Sequence, residues 1–98
     1  MTRKILLRPA ARADLAEIWS FGVSRWGRAQ TEAYLNGLDD LMRLLCDYPE
    51  ISRLHEEFRP PVRLHPYRAH LVVYRSEISL EVLRVPSMRS NWRMLVSE

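Results

Sequence analysis

Arginine side chains cluster near the end of the chain, beside polar and aromatic residues. The segment Leu83–Trp92, "LRVPSMRSNW", carries Arg84 inside a run typical of a β-strand. Arg89 follows the break at Pro86, and Arg93 comes directly after the segment. Guanidinium groups make planar, two-pronged hydrogen bonds to carboxylates and phosphates. The segment is therefore a candidate for holding an anionic partner, either nucleic acid or an acidic protein segment.

The same segment is poorly equipped to cut RNA. Cleavage needs one group to take the 2′-hydroxyl proton and another to protonate the leaving oxygen. Arginine is a poor proton carrier because it stays protonated, and the tail after Arg84 contains no His, Tyr or Lys. His65 and His70, which flank a predicted turn, and Glu81 in the last predicted strand are the remaining candidates. Each has an alternative interpretation as a structural or surface residue, and we predict no catalytic residue.

Cysteine usage argues against a metal site or a disulfide. Cys46 is the one cysteine of the chain, so it has no internal partner, which suits a reducing cytoplasm. A metal site built from Cys46, His65 and His70 would lack the ligand spacing of a tetrahedral centre. We predict neither a metal nor a cofactor.

Length and composition indicate one small globular domain. The chain has 98 residues, 47% of them hydrophobic and 28% charged, so residues 1–98 are predicted to form a single domain. Its apolar runs are far shorter than the roughly 20 residues of a membrane-spanning helix. The start of the chain does not resemble a signal peptide. We expect a cytoplasmic protein with no membrane partner.

The positive charge lies in the second half of the chain. Residues 1–50 contain seven basic and seven acidic residues, whereas residues 51–98 contain eight and five, which accounts for the net charge of +3. This bias favours an acidic partner, although a solvated basic surface would give the same pattern.

Two helices are predicted in the first half. Pro9 suits a first helical turn, and apolar residues then recur at helical spacing as far as Trp26, where Gly27 ends the helix. Residues 28–48 carry a broad apolar stripe that ends at Pro49. Two long helices joined at a glycine are expected to form an antiparallel hairpin, with both tryptophans of the first helix, Trp19 and Trp26, in the core.

Short strands are predicted around and after the helices. The strands are residues 3–8, 62–66, 70–75 and 78–85, while residues 49–61 read as a loop and residues 90–96 as either a helical turn or a loose tail. The predicted architecture is β-α-α-β-β-β. It is an α+β domain whose helical hairpin packs on one face of a small, mostly antiparallel sheet.

The sequence resembles the ParE toxins of the RelE/ParE superfamily of bacterial type II toxin–antitoxin systems. The resemblance rests on "LRPAARADLAEIWSFGVSRWG", "AQTEAYLNGL", "YPEISR", "YRAHLVVYR" and "EVLRV", which occur in the family's order over nearly the whole chain. It implies the same β-α-α-β-β-β fold.

The resemblance also implies one of two cellular targets. RelE-like members cut messenger RNA in the ribosome, whereas ParE-like members poison DNA gyrase. Many relatives of both branches carry a histidine after the last strand, where this chain has Ser87, and the chain also lacks a late tyrosine of the kind that RelE-like members often use. The first expectation is therefore a gyrase inhibitor without enzyme activity, which serves plasmid maintenance or a stress response. The alternatives are an mRNA endonuclease of RelE type and a non-toxic relative that only binds an antitoxin.

The arginine-rich segment is the gyrase-contact candidate that the resemblance implies. The candidate residues are Arg84, Arg89, Trp92 and Arg93, because Trp and Arg are frequent in binding hot spots. Arg84 interrupts an apolar strand, so it either pairs with a buried carboxylate or lines a concave face. Trp92 either contacts the target or pins the tail by packing.

The resemblance further implies an antitoxin partner. A ParD-like protein with a ribbon-helix-helix start is expected to wrap an acidic tail around the toxin in a hetero-oligomer, and DNA would be contacted only through the antitoxin. Leu35 and Met42 are expected to stay partly exposed on the second helix and to meet that tail. Arg63 and Arg75 would face its carboxylates from the sheet.

Overall fold

The chain folds into a helical hairpin, a five-stranded sheet and a short C-terminal helix, in a computed structural model that describes residues 4–96. The elements are β1 (Ile5–Leu7), α1 (Pro9–Trp26), α2 (Arg28–Asp47), a 3₁₀ turn (Pro49–Ile51), β2 (Leu54–His55), β3 (Val62–Tyr67), β4 (His70–Ser76), β5 (Leu80–Arg84) and α3 (Trp92–Val96). The predicted α+β class is confirmed. Within residues 4–96, no helix is long and apolar enough to cross a lipid bilayer.

The strands lie in the order β1-β5-β4-β3-β2. β3, β4 and β5 form the predicted antiparallel meander, and β1 joins its edge parallel to β5. β2 lies in a segment that was predicted to be a loop, so that prediction is wrong at these two residues. It pairs with the start of β3, with Leu54 opposite Arg63 and His55 opposite Val62. A strand of two residues is too short to show an alternating apolar pattern in the sequence, so β2 is recognised only from its pairing with β3.

The last strand is shorter than predicted, and the tail is ordered as a helix. β5 starts at Leu80 because residues 77–79 form a turn in which the Glu77 N–H donates to the Ser79 carbonyl. Ile78 in this turn is 92% exposed. Of the two alternatives for the tail, the helical turn is the one found, as α3.

Helices α1 and α2 form the predicted hairpin at Gly27. This glycine has φ +88°, a conformation that side-chain-bearing residues rarely adopt. The Thr31 hydroxyl donates to the Gly27 carbonyl at 2.8 Å and so fastens the start of α2 to the turn. Gly22 lets the helices approach closely, since a Cβ there would lie 2.7 Å from Thr31 Oγ1.

Replacing Gly22 by alanine is expected to lower the free energy of unfolding by about 1 kcal/mol. The new methyl group would collide with Thr31, and the cost of overpacking, about 1–3 kcal/mol, exceeds the helix-propensity gain of about 1 kcal/mol. Urea denaturation measures the difference, with Ser24→Ala on the exposed side of α1 as the control. Greater stability of Gly22→Ala would contradict the close approach.

The main core lies between the hairpin and the inner face of the sheet. Leu38, Met42 and Cys46 are spaced four residues apart on α2, and this row faces the sheet. The expectation that Met42 stays partly exposed is wrong: it is 5% exposed, because it lies in the middle of that row. Trp26 was predicted to be in the core but is 58% exposed at the last residue of α1.

A second apolar cluster covers part of the outer face of the sheet. Val62, Leu71 and Val73 are buried there beneath Phe58. Trp92 of α3 packs against the cluster, and its ring centroid lies 6.4 Å from that of Phe58. The short C-terminal helix is thus the outer cover of this second core.

Candidate functional site

Arg84 ties the end of β5 to α1. Its Nε and Nη2 atoms donate to the Asp14 carboxylate at 2.8 and 3.0 Å, and the backbone N–H of Val85 donates to the same carboxylate at 2.8 Å. The side chains of Asp14 and Arg84 are 11% and 26% exposed, so the pair is largely shielded from water. Both interpretations of Arg84 hold, because it pairs with a carboxylate and also lines a concave surface.

That concave surface, here called the α1 groove, is an open cleft of about 880 Å³. It runs between α1, the start of α2, the turn between β3 and β4, and the segment after β5. Its lining residues include Asp14, Glu17, Ile18, Phe21, Arg25, Trp26, Tyr34, Arg68, His70, Arg84, Val85, Pro86, Ser87, Arg89 and Leu95.

Three exposed arginines reach the groove from three different elements. Arg25 comes from α1, Arg68 from the turn after β3, and Arg89 from the segment after β5. Among residues 4–96, none of the three forms an ion pair with a carboxylate. The Arg25 guanidinium lies 5.4 Å from the centre of the Phe21 ring, a cation–π distance. The groove therefore combines available positive charge with an aromatic surface.

Tyr34 and His70 form a polar cluster on the groove wall. The Tyr34 hydroxyl lies 2.7 Å from His70 Nδ1 and accepts the backbone N–H of Ala69 at 3.3 Å. Burial raises the pKa of Tyr34, and burial lowers the pKa of His70 although Asp14 acts in the opposite direction. Ser87 forms an isolated β-bridge with His70, so these two residues lie side by side on the groove wall.

We expect the free energy of unfolding to fall as the pH drops below about 6.5, the ordinary pKa of a histidine side chain. Burial depresses the pKa of His70 and of His65 in the folded state, so the unfolded chain binds more protons in this range. The stability that the neutral, folded histidines contribute is fully present above pH 6.5. It declines as the unfolded histidines bind protons and is lost once the pH falls below the depressed pKa of the folded histidines. Urea denaturation between pH 7.5 and 5.5 measures the slope, which should be smaller in His70→Gln. An equal slope in both proteins would contradict the assignment to His70.

The sequence matches known proteins over almost its whole length. The family described as "ParE toxin of type II toxin-antitoxin system, parDE" matches residues 5–92. The chain belongs to the ParE toxin family. It is similar to Toxin ParE1 of Mycobacterium tuberculosis, with 37% identity over 91 residues that cover 91% of this chain and 93% of the relative. It is also similar to Toxin ParE1 of Caulobacter vibrioides, with 30% identity over 83 residues, 85% of this chain and 86% of the relative.

The fold of this ParE-family chain also occurs in a solved structure. A chain of the chromosomal ParDE toxin–antitoxin system of P. aeruginosa superposes with a TM-score of 0.74, covering 88% of this chain and 96% of the other. Only 16% of the aligned residues are identical, so the likeness concerns the fold alone.

The three acid–base candidates do not share the groove in this ParE-family chain. His70 lines the groove, whereas His65 Nδ1 lies 2.6 Å from the Ser52 hydroxyl. Glu81 on the outer face accepts from Arg8 and from Arg75 at 3.2 and 2.8 Å, so its carboxylate is paired rather than simply solvated. Within residues 4–96, no three His, Cys, Asp or Glu side chains are grouped for a metal ion.

The four gyrase-contact candidates fall into two separate groups. Arg84 and Arg89 line the α1 groove. Trp92 and Arg93 lie on the other side, where the Arg93 guanidinium is 4.8 Å from the Trp92 ring centre and 5.9 Å from that of Phe58. The packing interpretation of Trp92 is therefore the one that its contacts support.

The four antitoxin candidates also differ in accessibility. Leu35 is half-buried against the main core, and Met42 lies inside it. Arg63 donates to the Ser52 carbonyl at 2.6 Å, and Arg75 donates to Glu81. Both arginines are thus already engaged within the domain, which limits what they offer to a partner.

Sequence reasoning missed the parts of the groove that α1 and the β3–β4 turn supply. Phe21 is 60% exposed, and Arg25 and Arg68 are exposed beside the groove. Phe21 could have been found, because it lies outside the predicted apolar stripe of α1, and an aromatic residue off the stripe is a signal of an exposed apolar surface. Arg68 carries no comparable signal in the sequence.

Proposed function

We propose that this chain is the toxin of a type II toxin–antitoxin pair, that it inhibits DNA gyrase, and that a ParD-like antitoxin neutralises it. The observation that carries the proposal is the ParE toxin match over residues 5–92. Residues 1–98 would act as one toxin domain in the cytoplasm, where gyrase acts on bacterial DNA. The biological role would be plasmid maintenance or a stress response.

The groove supports binding better than catalysis. Its arginines hold anions but do not transfer protons at neutral pH. One ring nitrogen of His70 is occupied by the Tyr34 hydroxyl, and the other acid–base candidates lie elsewhere. Of the three acid–base candidates, which all lie within residues 4–96, His70 alone lines the groove, so these candidates do not provide both a base for the 2′-hydroxyl proton and an acid for the leaving oxygen there. We therefore propose inhibition by binding, without enzyme activity.

One observation favours a second function, ribosome-dependent cleavage of messenger RNA. His70 and Tyr34 share the groove with Arg84 and Arg89, so a phosphate held there would lie near a neutral imidazole. Burial lowers the pKa of His70, which keeps the ring available as a base at neutral pH. One ring nitrogen of His70 is already engaged by the Tyr34 hydroxyl, and the neighbouring arginines do not donate a proton to a leaving oxygen, so this function ranks second.

The rate of protein synthesis in the first minutes after induction separates these functions. For a gyrase inhibitor, we expect synthesis to continue while DNA damage signalling and filamentation follow, and the purified chain should inhibit DNA supercoiling by gyrase. An immediate collapse of synthesis would contradict gyrase inhibition and support cleavage of mRNA. Normal growth and unchanged supercoiling would leave a non-toxic relative that only binds an antitoxin.

The antitoxin is expected to be encoded next to this chain. A short acidic protein with a ribbon-helix-helix start would form a hetero-oligomer with the toxin and would link it to DNA indirectly. Leu35, Arg63 and Arg75 are the proposed antitoxin contacts, whereas Met42 is buried in the main core. Co-expression of the neighbouring reading frame should restore growth. Failure of that polypeptide to bind or to protect the cell would contradict the proposed pairing.

Two of the gyrase candidates are proposed as direct contacts. Arg89 is exposed in the groove, and the Arg93 side chain is 61% exposed on the other side. Arg84 is held by Asp14 and Trp92 is packed on the outer cluster, so both would act by positioning the segment between them.

A further inference from the structure

Large apolar side chains are exposed to water where α2 ends, outside the α1 groove. They are Leu44, Tyr48, Ile51 and Leu54, here called the α2 patch, and Tyr48 is 62% exposed. None of the four lines the α1 groove. A single exposed apolar residue is ordinary on a protein surface, whereas several close together mark a site of association.

The backbone brings the residues of the α2 patch together. Leu44 and Tyr48 are four residues apart, so they lie on the same side of the helix end. The Tyr48 N–H donates to the Leu44 carbonyl at 2.9 Å, and the Ile51 N–H donates to the Tyr48 carbonyl at 3.2 Å. Leu54 follows in β2, which is the strand at one edge of the sheet. The patch therefore runs from the end of α2 to the outermost strand, where a second molecule can approach.

Polar side chains of the sheet hold the segment that carries the later part of the patch. The Tyr74 hydroxyl donates to the Pro49 carbonyl at 2.7 Å, and Arg63 donates to the Ser52 carbonyl at 2.6 Å. The Ser52 hydroxyl lies 2.6 Å from His65 Nδ1. Because Ser52 is buried by these contacts, the patch residues that flank it remain on the surface. The apolar surface is thus fixed before any partner arrives, which lowers the entropy cost of association.

The charged residues around the α2 patch have both signs. Asp40 and Arg43 lie at the end nearer the start of α2, Glu50 and Arg53 lie at the other end, and Asp47 lies between them, all of them exposed. A partner of one charge would meet like charges at both ends. A second copy related by a two-fold axis instead brings the first end of one molecule onto the second end of the other. Arg43 would then face Glu50, and Asp40 would face Arg53.

We propose that the α2 patch is the interface of a symmetric dimer of this chain, in which the two α2 ends pack antiparallel and Arg43 of each protomer faces Glu50 of the other. The proposal goes beyond the proposed function and depends on neither the target nor the antitoxin. The ion pair of Arg43 with Asp39 is exposed, and such pairs contribute little to stability, so Arg43 can turn to a second carboxylate. The interface is small and brings two Asp47 side chains near the axis, so we expect a dissociation constant of about 10–100 µM.

The apolar contact is tested by sedimentation equilibrium of the full chain, made by cell-free synthesis. Wild type should be mostly monomer at about 5 µM and mostly dimer at about 500 µM. Tyr48→Ser combined with Ile51→Ser should raise the dissociation constant at least roughly 10-fold, because each protomer loses two apolar contacts. Both residues are exposed, so the circular dichroism spectrum should stay that of wild type. Phe21→Ser is the matched control, since Phe21 is 60% exposed but lines the groove, and it should dimerise as wild type does.

The two-fold arrangement is tested by reversing one charge at each end of the patch. Glu50→Arg alone would place arginine opposite Arg43, and Arg43→Glu alone would place glutamate opposite Glu50, so each variant should dimerise at least roughly 10-fold more weakly than wild type. An equimolar mixture of the two variants pairs opposite charges at both ends. It should therefore associate within about 3-fold of wild type, which also shows that both variants are folded.

The outcomes separate the dimer from other modes of association. A wild-type chain that stays monomeric at about 500 µM would overturn the proposal. So would a dimer that survives the Tyr48 and Ile51 replacements, or one that Phe21→Ser abolishes, because the contact would then lie elsewhere. Failure of the mixed charge variants to associate would contradict the two-fold arrangement. Gyrase inhibition and antitoxin binding are measured separately, so none of these results alters the proposed function.

Discussion

Replacing Asp14 by alanine is expected to lower the free energy of unfolding by about 2–3 kcal/mol. The change removes the carboxylate that receives two hydrogen bonds from Arg84 and one from the Val85 N–H. The guanidinium and the amide would then lie in a mostly buried position without that acceptor. Urea denaturation should show an earlier midpoint with an unchanged slope, and the melting temperature should fall by roughly 10–20 °C.

The exposed pair of Asp39 and Arg43 provides the control for Asp14. These two side chains are 49% and 71% exposed, so Asp39→Ala should cost less than about 0.5 kcal/mol. The double variant Asp14→Ala with Arg84→Met should recover part of the loss, because it removes the buried charge together with its partner. Equal costs for Asp14→Ala and Asp39→Ala would contradict the structural role of the buried pair.

Replacing Trp92 by alanine is expected to lower the free energy of unfolding by about 2 kcal/mol. The indole packs on the outer cluster beside Phe58, and the Arg93 guanidinium lies 4.8 Å from its ring centre. Loss of the indole would expose the cluster residues Val62, Leu71 and Val73 to water. Thermal unfolding followed by circular dichroism measures the effect.

Trp26 is the matched control for Trp92. It is 58% exposed, so Trp26→Ala should change stability by no more than about 0.5 kcal/mol. A Trp92→Ala protein of wild-type stability that no longer inhibits gyrase would instead mean that Trp92 touches the target. Loss of stability with retained inhibition at low temperature would agree with the packing role.

Most of the helices and strands could be predicted from the sequence because the patterns that specify them are local. Helix α1 is bounded by Pro9 and Gly27, whose backbone properties act within one turn, and the helical stripes extend over many residues. The meander strands were recognised from alternation and turn residues. β2 and the exact start of β5 were not, because their pairing depends on a neighbour that is distant in the sequence.

The site was less predictable because its properties come from side chains far apart in the chain. Arg84 was recognised as unusual, yet its partner Asp14 is 70 residues away, and no local pattern links them. Met42 was correctly placed on the apolar stripe of α2. The stripe is broad, and only the position of the sheet decides which of its residues are buried. The same holds for Trp26, which lies on the α1 stripe but is 58% exposed at the last residue of the helix.

By itself, the sequence determined the α+β class, the order of the helices and main strands, the ParE family and the arginine-rich character of the C-terminal half. These follow from local periodicity, from residues with special backbone behaviour, and from motifs that occur in order. Tertiary structure alone decided that Arg84 and Arg89 face a groove while Trp92 and Arg93 pack on the opposite face, and that Phe21, Arg25 and Arg68 join the groove. Burial and pairing depend on contacts between distant segments, which a linear pattern does not contain.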